Sequence, residues 1–248
     1  MDCQPQKEKK FLNYKMNIIG VIPARSGSSE IINKNIKKIK NQTLLQISIK
    51  KLNILKKKKY ITDFVVTTDS KSYSNLAKKY GSKVYLRPKH LSGNRTKIVE
   101  VLNYLKKYFK NDYFLTIVPT APLISVNTIK KLIVDLKKKK FLSSGSISKI
   151  TTIHPLLAMK KKDNNKYEYL INKSLMRYPR QVRPNSYYFN GCIFIRHKKL
   201  INKNNFNNNC LGKSFYGFEI TRNESCNIDT LDDLNYCKKN FNAKKVYK

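Results

Sequence analysis

The chain has 248 residues, 40% of them hydrophobic, with five cysteines and a formal net charge of +37. This length allows one sizeable core with a small appendage, and no apolar stretch approaches the roughly 20 residues that a membrane helix needs. The odd number of cysteines, without a Cys-x-x-Cys pair, argues against a disulfide framework or a structural zinc site.

The first 15 residues are polar and charged and lack the apolar core of a secretory signal. We expect residues 1–15 to form a disordered extension and residues 16–248 to form a single domain. The cysteine usage favours a reducing compartment, so the expected location is cytoplasmic.

Hydrophobic periodicity predicts strands and helices that alternate along the chain. Strands are predicted at residues 17–22, 63–68, 82–86, 113–118 and 192–196. Helices are predicted at 45–55, 72–80, 98–109 and 129–136, with a last helix opened by a capping box of Thr230 and Asp233. Residues 156–188 lack a clear period and are predicted to leave the sheet as an arm that contacts a second subunit.

This alternation predicts an α/β fold of three layers (α/β/α), with a mostly parallel, Rossmann-like sheet between helices and the arm as an appendage. Ligands of such sheets bind beyond the carboxyl ends of the strands. Those ends are predicted at residues 23–25, 67–69 and 119–122, which should converge on one crevice.

The loop after the first strand could surround a polyphosphate. Small residues there, among them Ser26 and Gly27, would let backbone N–H groups approach phosphate oxygens. Arg25 offers a planar fork and Lys34 a mobile point charge. The loop lacks the Gly-Lys-Ser/Thr ending of a Walker A motif, and an ordinary surface loop with two cations is the alternative.

The high positive charge allows two interpretations. Nucleic-acid binding is one, because affinity for a phosphate backbone is mostly lysine and arginine electrostatics. Compositional drift is the other, and we favour it because lysine runs such as residues 56–59 and 137–140 fill the exposed faces of almost every segment. We therefore expect no specific nucleic-acid partner and no membrane association.

An ordered set of motifs extends from residue 17 to residue 240. It comprises IPARSGS at 22–28 with NKN at 33–35, TTDS at 67–70, LRP at 86–88, PTAPL at 119–123, HP at 154–155, PR at 179–180, NG at 190–191 and IDT at 228–230. In this order and spacing the chain resembles the CMP-N-acylneuraminate synthetases, the cytidylyltransferases that activate sialic acids.

The resemblance implies a reaction of CTP with a nine-carbon 2-keto sugar acid, giving a CMP-sugar and pyrophosphate in a homodimer that needs Mg²⁺. Catalysis would be assigned to Arg25, Lys34 and Asp229. Nucleotide contacts would come from Ala24, Arg25, Ser26, Gly27, Lys34, Asn35 and Arg87. The sugar would meet Arg180, Asn190 and Gly191, and Mg²⁺ would be held by Asp229 and Asn227.

Each assignment has a simpler alternative. Asp229 could only stabilise the start of the last helix, Arg180 could be a solvated cation, and Asn190 with Gly191 could form a turn before a strand. Asp69 is expected to order its turn rather than to bind metal.

The chain also departs from the family pattern. Ser29 and Glu30 stand where the family has Lys-Gly, and Asn227 replaces one metal carboxylate; Asn94 and Val118 are further departures. These departures leave open a degenerate homologue or an enzyme for an eight-carbon acid, although residues 32–35 argue against the latter.

Overall fold

The computed structural model describes residues 16–27, 30–171, 179, 181 and 183–248. The strands are β1 Ile18–Pro23, β2 Lys38–Ile39, β3 Gln42–Thr43, β4 Asp63–Thr68, β5 Lys83–Leu86, β6 Tyr113–Ile117, β7 Ser143–Lys149, β8 Met159–Lys161, β9 Tyr167–Tyr169, β10 Tyr187–His197 and β11 Phe215–Glu219. The helices are α1 Leu44–Lys57, α2 Lys71–Lys79, α3 Ile98–Leu105, α4 Val126–Lys139, α5 Leu231–Asn240 and α6 Ala243–Val246.

Seven strands form one sheet in the order β11-β7-β10-β6-β1-β4-β5. Every neighbouring pair is parallel except the two pairs made by β10, which is antiparallel to β6 and to β7. The mostly parallel sheet predicted from the sequence is therefore confirmed. Because β10 runs the other way, its first residues lie at the same edge as the carboxyl ends of the parallel strands.

Alternate residues of β1 face opposite layers of helix. Ile18 and Ile22 pack in one core with helices α1, α2 and α4, whereas Ile19 and Val21 pack in a second core with α3. Gly20 permits the close approach of α1, since a Cβ there would lie 2.8 Å from Leu52 Cδ1. The central strand is thus covered on both faces, which confirms the three-layer arrangement.

A third apolar cluster fastens the last helix beside the carboxyl edge of the sheet. Leu234 and Cys237 of α5 pack with Leu44 and Ile47 on the outer side of α1, and Ile228 joins the same cluster. This packing places the segment before α5 next to the first loop. The capping box predicted at the start of α5 is confirmed, with Thr230 and Asp233 each accepting the other's backbone N–H.

The two lysine runs occupy the last turns of α1 and α4 and the residues just after them, and all but one of their members are exposed. Cations are favourable at helix C-termini because the macrodipole is negative there. In this topology both helices end at the edge of the sheet opposite the carboxyl ends, so these runs lie away from the crevice.

The predicted arm contains a small hairpin outside the main sheet, formed by β8 and β9. His154 fastens its base: the ring Nδ1 accepts the Leu156 N–H at 3.3 Å, and Nε2 lies 2.9 Å from Ser186 Oγ. Dimerisation through this arm stays a prediction. Within the part of the chain that the structure describes, no helix combines the length and apolar character needed to cross a membrane.

Three predictions about elements were wrong in extent. The helix predicted over 98–109 ends at Leu105, although the next turn keeps Phe109 against the same core. The strand predicted at 192–196 begins five residues earlier, so the arm predicted to end at 188 overlaps it. Strands β7 and β11 were missed, because serines and glycine interrupt their apolar pattern. The prediction for residues 1–15 lies outside the described residues.

Candidate nucleotide-binding site

The first loop is held in place by its neighbours at the carboxyl edge. Asp69 accepts the Ser26 backbone N–H at 2.8 Å and the Ser26 hydroxyl at 2.9 Å. The buried amide of Asn35 donates to the Arg25 carbonyl at 2.8 Å, and Ala24 N–H donates to Thr67 O at 2.9 Å. Asp69 and Asn35 therefore both hold the first loop, whereas the sequence assigned Asp69 to the ordering of its own turn.

Two arginines flank this loop. Arg87 donates to the carbonyl and the hydroxyl of Thr67 at 3.0 and 3.2 Å. Burial lowers the pKa of Arg87 to about 10; Asp69 opposes this shift and the positive charge of Arg25 adds to it. The Arg25 guanidinium contacts the side-chain oxygen of Asn94. Two cations thus share a small volume with one carboxylate, an arrangement that favours an anionic ligand.

Lys34 joins the first loop to the far end of the chain. Its ammonium donates to Asp229 Oδ1 and to the Ile228 carbonyl, both at 2.9 Å. The Lys34 side chain is 11% exposed, whereas that of Asp229 is 62% exposed. The structure therefore brings together two predicted catalytic residues that are 195 positions apart.

Asp229 does not cap the last helix, because Thr230 and Asp233 perform that task. Asp233 Oδ2 also accepts the Asp229 backbone N–H at 3.0 Å. Partial burial opposes ionisation of Asp233, but its backbone and hydroxyl donors together lower the pKa of this carboxyl. The capping carboxylate thus fixes the backbone of Asp229 and leaves the Asp229 side chain free to face Lys34 and solvent.

The residues predicted to hold Mg²⁺ suit that ion. Asn227 Oδ1 is buried without a hydrogen-bond partner among the described residues, which is costly unless a ligand or an ion satisfies it. One carboxylate and one amide oxygen match the few protein ligands that Mg²⁺ takes when substrate phosphates and waters supply the others. No group of three or more metal-ligating His, Cys, Asp or Glu side chains occurs in the described ranges.

An open cavity of about 990 Å³ adjoins this segment. Its lining residues are Tyr188, Phe189, Asn190, Arg222, Ser225, Cys226, Asn227, Asp229, Asp232, Asp233 and Tyr236. Three of the chain's 15 acidic side chains lie here, in a protein of net charge +37. The cavity is therefore locally acidic and suits a divalent cation brought in with its anionic ligand.

Asn190 and Gly191 lie inside β10, at an irregularity between Phe189 and Phe194, rather than in a turn before a strand. Gly191 has a φ of +73°, which favours glycine at this position. The Asn190 amide donates to Ser148 Oγ at 2.9 Å and also contacts Ser146 Oγ. Asn190 thus shapes the cavity wall through inward bonds.

Beneath the site lies a buried cation that sequence reasoning missed. Lys51 on α1 is 1% exposed, and its ammonium donates to Pro122 O at 2.8 Å and Ala121 O at 3.3 Å. Burial lowers the pKa of Lys51 to about 7, although the carboxylate of Glu224 opposes this shift. Lys51 therefore fastens the predicted 119–122 corner to α1.

The same corner holds the segment that carries Asp229. Thr120 O accepts the Ile228 backbone N–H at 2.8 Å. Glu224 accepts the Ser125 backbone N–H at 2.8 Å and the Thr128 hydroxyl at 2.7 Å at the start of α4. These three bonds connect the 224–228 segment to the corner and to the start of α4, and the Lys51 bonds connect the corner to α1.

Two further outcomes concern arginines. The predicted sugar-binding residue Arg180 lies outside the described residues. Arg222 was missed, because one arginine among 52 basic residues gives no local signal. Among the described residues that line the cavity, Arg222 is the one cation.

Solved structures of nucleotidyltransferases share this fold. The synthetase of CMP and 2-keto-3-deoxy-manno-octonic acid, solved with CTP, has a TM-score of 0.66 and 15% identity, over 90% of this chain and 97% of that chain. The 4-diphosphocytidyl-2C-methyl-D-erythritol synthase of Anaerococcus prevotii has a TM-score of 0.60 and 14% identity, over 91% of this chain and 96% of that chain. At these identities the likeness concerns the fold alone.

The family profile described as cytidylyltransferase matches residues 19–243, and the chain belongs to this family of nucleotidyltransferases. The 3-deoxy-manno-octulosonate cytidylyltransferase of Fusobacterium nucleatum is 26% identical over 178 residues, 70% of each protein. The pseudaminic acid cytidylyltransferase of Campylobacter jejuni is 24% identical over 233 residues, 90% of this chain and 95% of the relative.

The N-acylneuraminate cytidylyltransferase of Streptococcus agalactiae serotype V is 27% identical over 230 residues, 88% of this chain. The match spans about half the length of that relative, 52%. The resemblance to cytidylyltransferases noted in the sequence is confirmed.

Replacing Lys51 by methionine should change how stability depends on pH. Folded Lys51 releases its proton above about pH 7, whereas the unfolded chain keeps it to about pH 10.5. The unfolded state binds more protons in this window, so this group makes the free energy of unfolding rise with pH, by at most about 1.4 kcal/mol per pH unit. Urea unfolding between about pH 7.5 and 9.5 should show a smaller rise in Lys51→Met than in wild type. Parallel curves for the two proteins would contradict the assignment.

Proposed function

We propose that this chain transfers the cytidylyl group of CTP to the anomeric hydroxyl of a 2-keto sugar acid, releasing pyrophosphate. The observation that carries the proposal is the contact of Lys34 with Asp229. It joins the cation of the first loop to the carboxylate of the predicted metal pair at the carboxyl edge of the sheet. Membership in the cytidylyltransferase family supports the choice of CTP.

In this proposal the residues position the reactants and neutralise charge. Arg25 and Lys34 bind the triphosphate and stabilise the negative charge of the leaving pyrophosphate. Since the Ser26 N–H and hydroxyl are bonded to Asp69, the backbone approach to phosphate in this loop falls to Gly27. Asp229 and Asn227 would hold Mg²⁺, which supplies charge neutralisation at the phosphates when bound.

Arg222 is the residue that we assign to the sugar acid's carboxylate. That carboxylate is attached to the anomeric carbon, so it must lie close to the reacting hydroxyl and to the metal segment. Arg222 lines the same cavity as Asp229, and its guanidinium has no hydrogen bond or ion pair with any described residue. A planar guanidinium binds a carboxylate through two parallel hydrogen bonds.

Nine-carbon acids are our first choice of substrate, and an eight-carbon acid is the second. The relatives from Streptococcus agalactiae and Campylobacter jejuni, named for nine-carbon acids, are matched over 88% and 90% of this chain. The Fusobacterium nucleatum relative, named for an eight-carbon acid, is matched over 70%. An assay of pyrophosphate release separates these two choices of substrate. It uses CTP, Mg²⁺ and a panel of nine- and eight-carbon 2-keto sugar acids. Absence of CTP binding would refute both.

Removing either charge of the Lys34–Asp229 pair should stop turnover without unfolding the protein. We expect Lys34→Ala and Asp229→Ala to lower pyrophosphate release at least about 10²-fold, as for other groups that stabilise developing charge. Lys37→Ala, which removes a nearby exposed lysine, is the matched control and should keep the wild-type rate. Wild-type turnover in either pair variant, with thermal unfolding midpoints unchanged, would refute the assigned roles.

Arg222→Gln should raise KM for the sugar acid about 10- to 100-fold and leave KM for CTP near its wild-type value, because one charge-assisted contact is lost. Arg222→Lys keeps the charge, and its KM for the sugar acid should lie between those of wild type and Arg222→Gln. Lys138→Gln also removes one positive charge, at an exposed position on α4, and is the control for a general loss of positive field. Equal effects of Arg222→Gln on both KM values would count against a carboxylate contact.

A further inference from the structure

Two thiols lie in contact at the wall of the cavity. Cys226 Sγ and Cys237 Sγ are 3.3 Å apart. Cys226 is partly exposed and lines the cavity, whereas Cys237 is buried on α5. A reagent that enters the cavity can therefore reach the Cys226 thiol, and the Cys237 thiol is in contact with it on the buried side.

The other described cysteines lack this arrangement. Cys192 is fully buried, and its thiol donates to the backbone carbonyls of Asn190 at 3.4 Å and Ser225 at 3.5 Å. Cys210 is also fully buried, with its sulfur 3.9 Å from Asn202 O. Among the described residues, only the Cys226–Cys237 pair combines an accessible thiol with an adjacent second thiol.

We propose that Cys226 and Cys237 form an oxidation site in which a peroxide produces a disulfide. The Cys226 sulfur attacks one peroxide oxygen, the O–O bond breaks, and the departing hydroxide takes the thiol proton to form water. The Cys237 sulfur then attacks the sulfur of the resulting sulfenic acid, the S–O bond breaks, and the departing hydroxide takes the Cys237 thiol proton and leaves as a second water. Hydrogen peroxide is reduced to two waters while two thiols become one disulfide.

The required movement is small and falls on the site. A disulfide has an S–S distance of about 2.05 Å, so the two sulfurs must approach by about 1.3 Å from their present contact. Cys226 directly precedes Asn227, and Cys237 lies on the helix that Thr230 and Asp233 begin. The bond would link the predicted metal segment covalently to α5, which makes the cavity wall sensitive to oxidants independently of the proposed function.

The test counts thiols in the full chain. We expect the protein, treated with equimolar hydrogen peroxide and then unfolded in iodoacetamide, to show three alkylated cysteines in place of five. Peptide mapping should find Cys226 joined to Cys237, and dithiothreitol should restore all five thiols. Five alkylated cysteines after peroxide, sulfinic acid at Cys226 with Cys237 still alkylated, or a disulfide joining any other pair would overturn the proposal.

Serine variants test whether the disulfide requires Cys226 and Cys237 in particular. Cys226→Ser should retain four alkylatable thiols after peroxide, because it lacks the thiol that reacts first. Cys237→Ser should form no disulfide and should keep Cys226 as a sulfenic acid, so three thiols are alkylated directly and four after dithiothreitol. Cys192→Ser is the matched control, because it removes the buried thiol next to Ser225 O and should still form the disulfide. A Cys226–Cys237 disulfide found in peroxide-treated wild type supports the proposal even if Cys237→Ser folds poorly.

Discussion

The Lys34 ammonium is the contact on which the candidate site depends. It bonds to the Ile228 carbonyl and to the Asp229 carboxylate, and so joins a loop near the start of the chain to a segment near its end. Because Asp229 is largely exposed, such a pair contributes only about 1 kcal/mol or less to stability. Its importance is geometric: it holds a cation and a carboxylate side by side where a phosphate and a divalent ion would each take one partner.

The framework under this pair is polar as well as apolar. Lys51 holds the 119–122 corner, and Thr120 in that corner holds Ile228. An unpaired buried ammonium is expensive, and here two carbonyls and the nearby Glu224 offset part of that cost. The predicted metal segment, residues 227–229, is therefore positioned from the core of the protein, which suits a site whose chemistry depends on placement.

The fold was predictable where one segment carries its own pattern. Strand β1 and helix α1 have continuous or periodic apolar residues, and both were predicted close to their observed bounds. Strand β7 has the sequence SSGSISK, and three of its buried serines bond to distant partners: Ser143 to the Leu211 carbonyl, and Ser146 and Ser148 to Asn190. A Cβ on Gly145 would lie 2.6 Å from Phe194 Cδ1. Contacts across the sheet specify this strand, and periodicity within it does not reveal them.

The site was predictable in a similar way. The resemblance identified Arg25, Lys34 and Asp229, and the structure places Lys34 against Asp229 and Arg25 in the loop beside Asp69. It could not identify Lys51 or Arg222, because a lysine in a lysine-rich helix and an arginine in a loop look like solvated cations until the fold is known. The packing of α1 buries Lys51, and the fold brings Arg222 to the cavity that Asp229 also lines.

Calorimetric titration of CTP, with Mg²⁺ and with EDTA, tests the central claim most directly. If the first loop and the 227–229 segment form one CTP and metal site, wild type binds CTP more tightly with Mg²⁺. Asp229→Asn should then lose that difference. Its affinity for CTP in EDTA should not fall below that of wild type, since Lys34 is released from its competing partner. Lys34→Met should bind CTP weakly under both conditions. Full Mg²⁺ enhancement in Asp229→Asn, or wild-type affinity in Lys34→Met, would contradict the account.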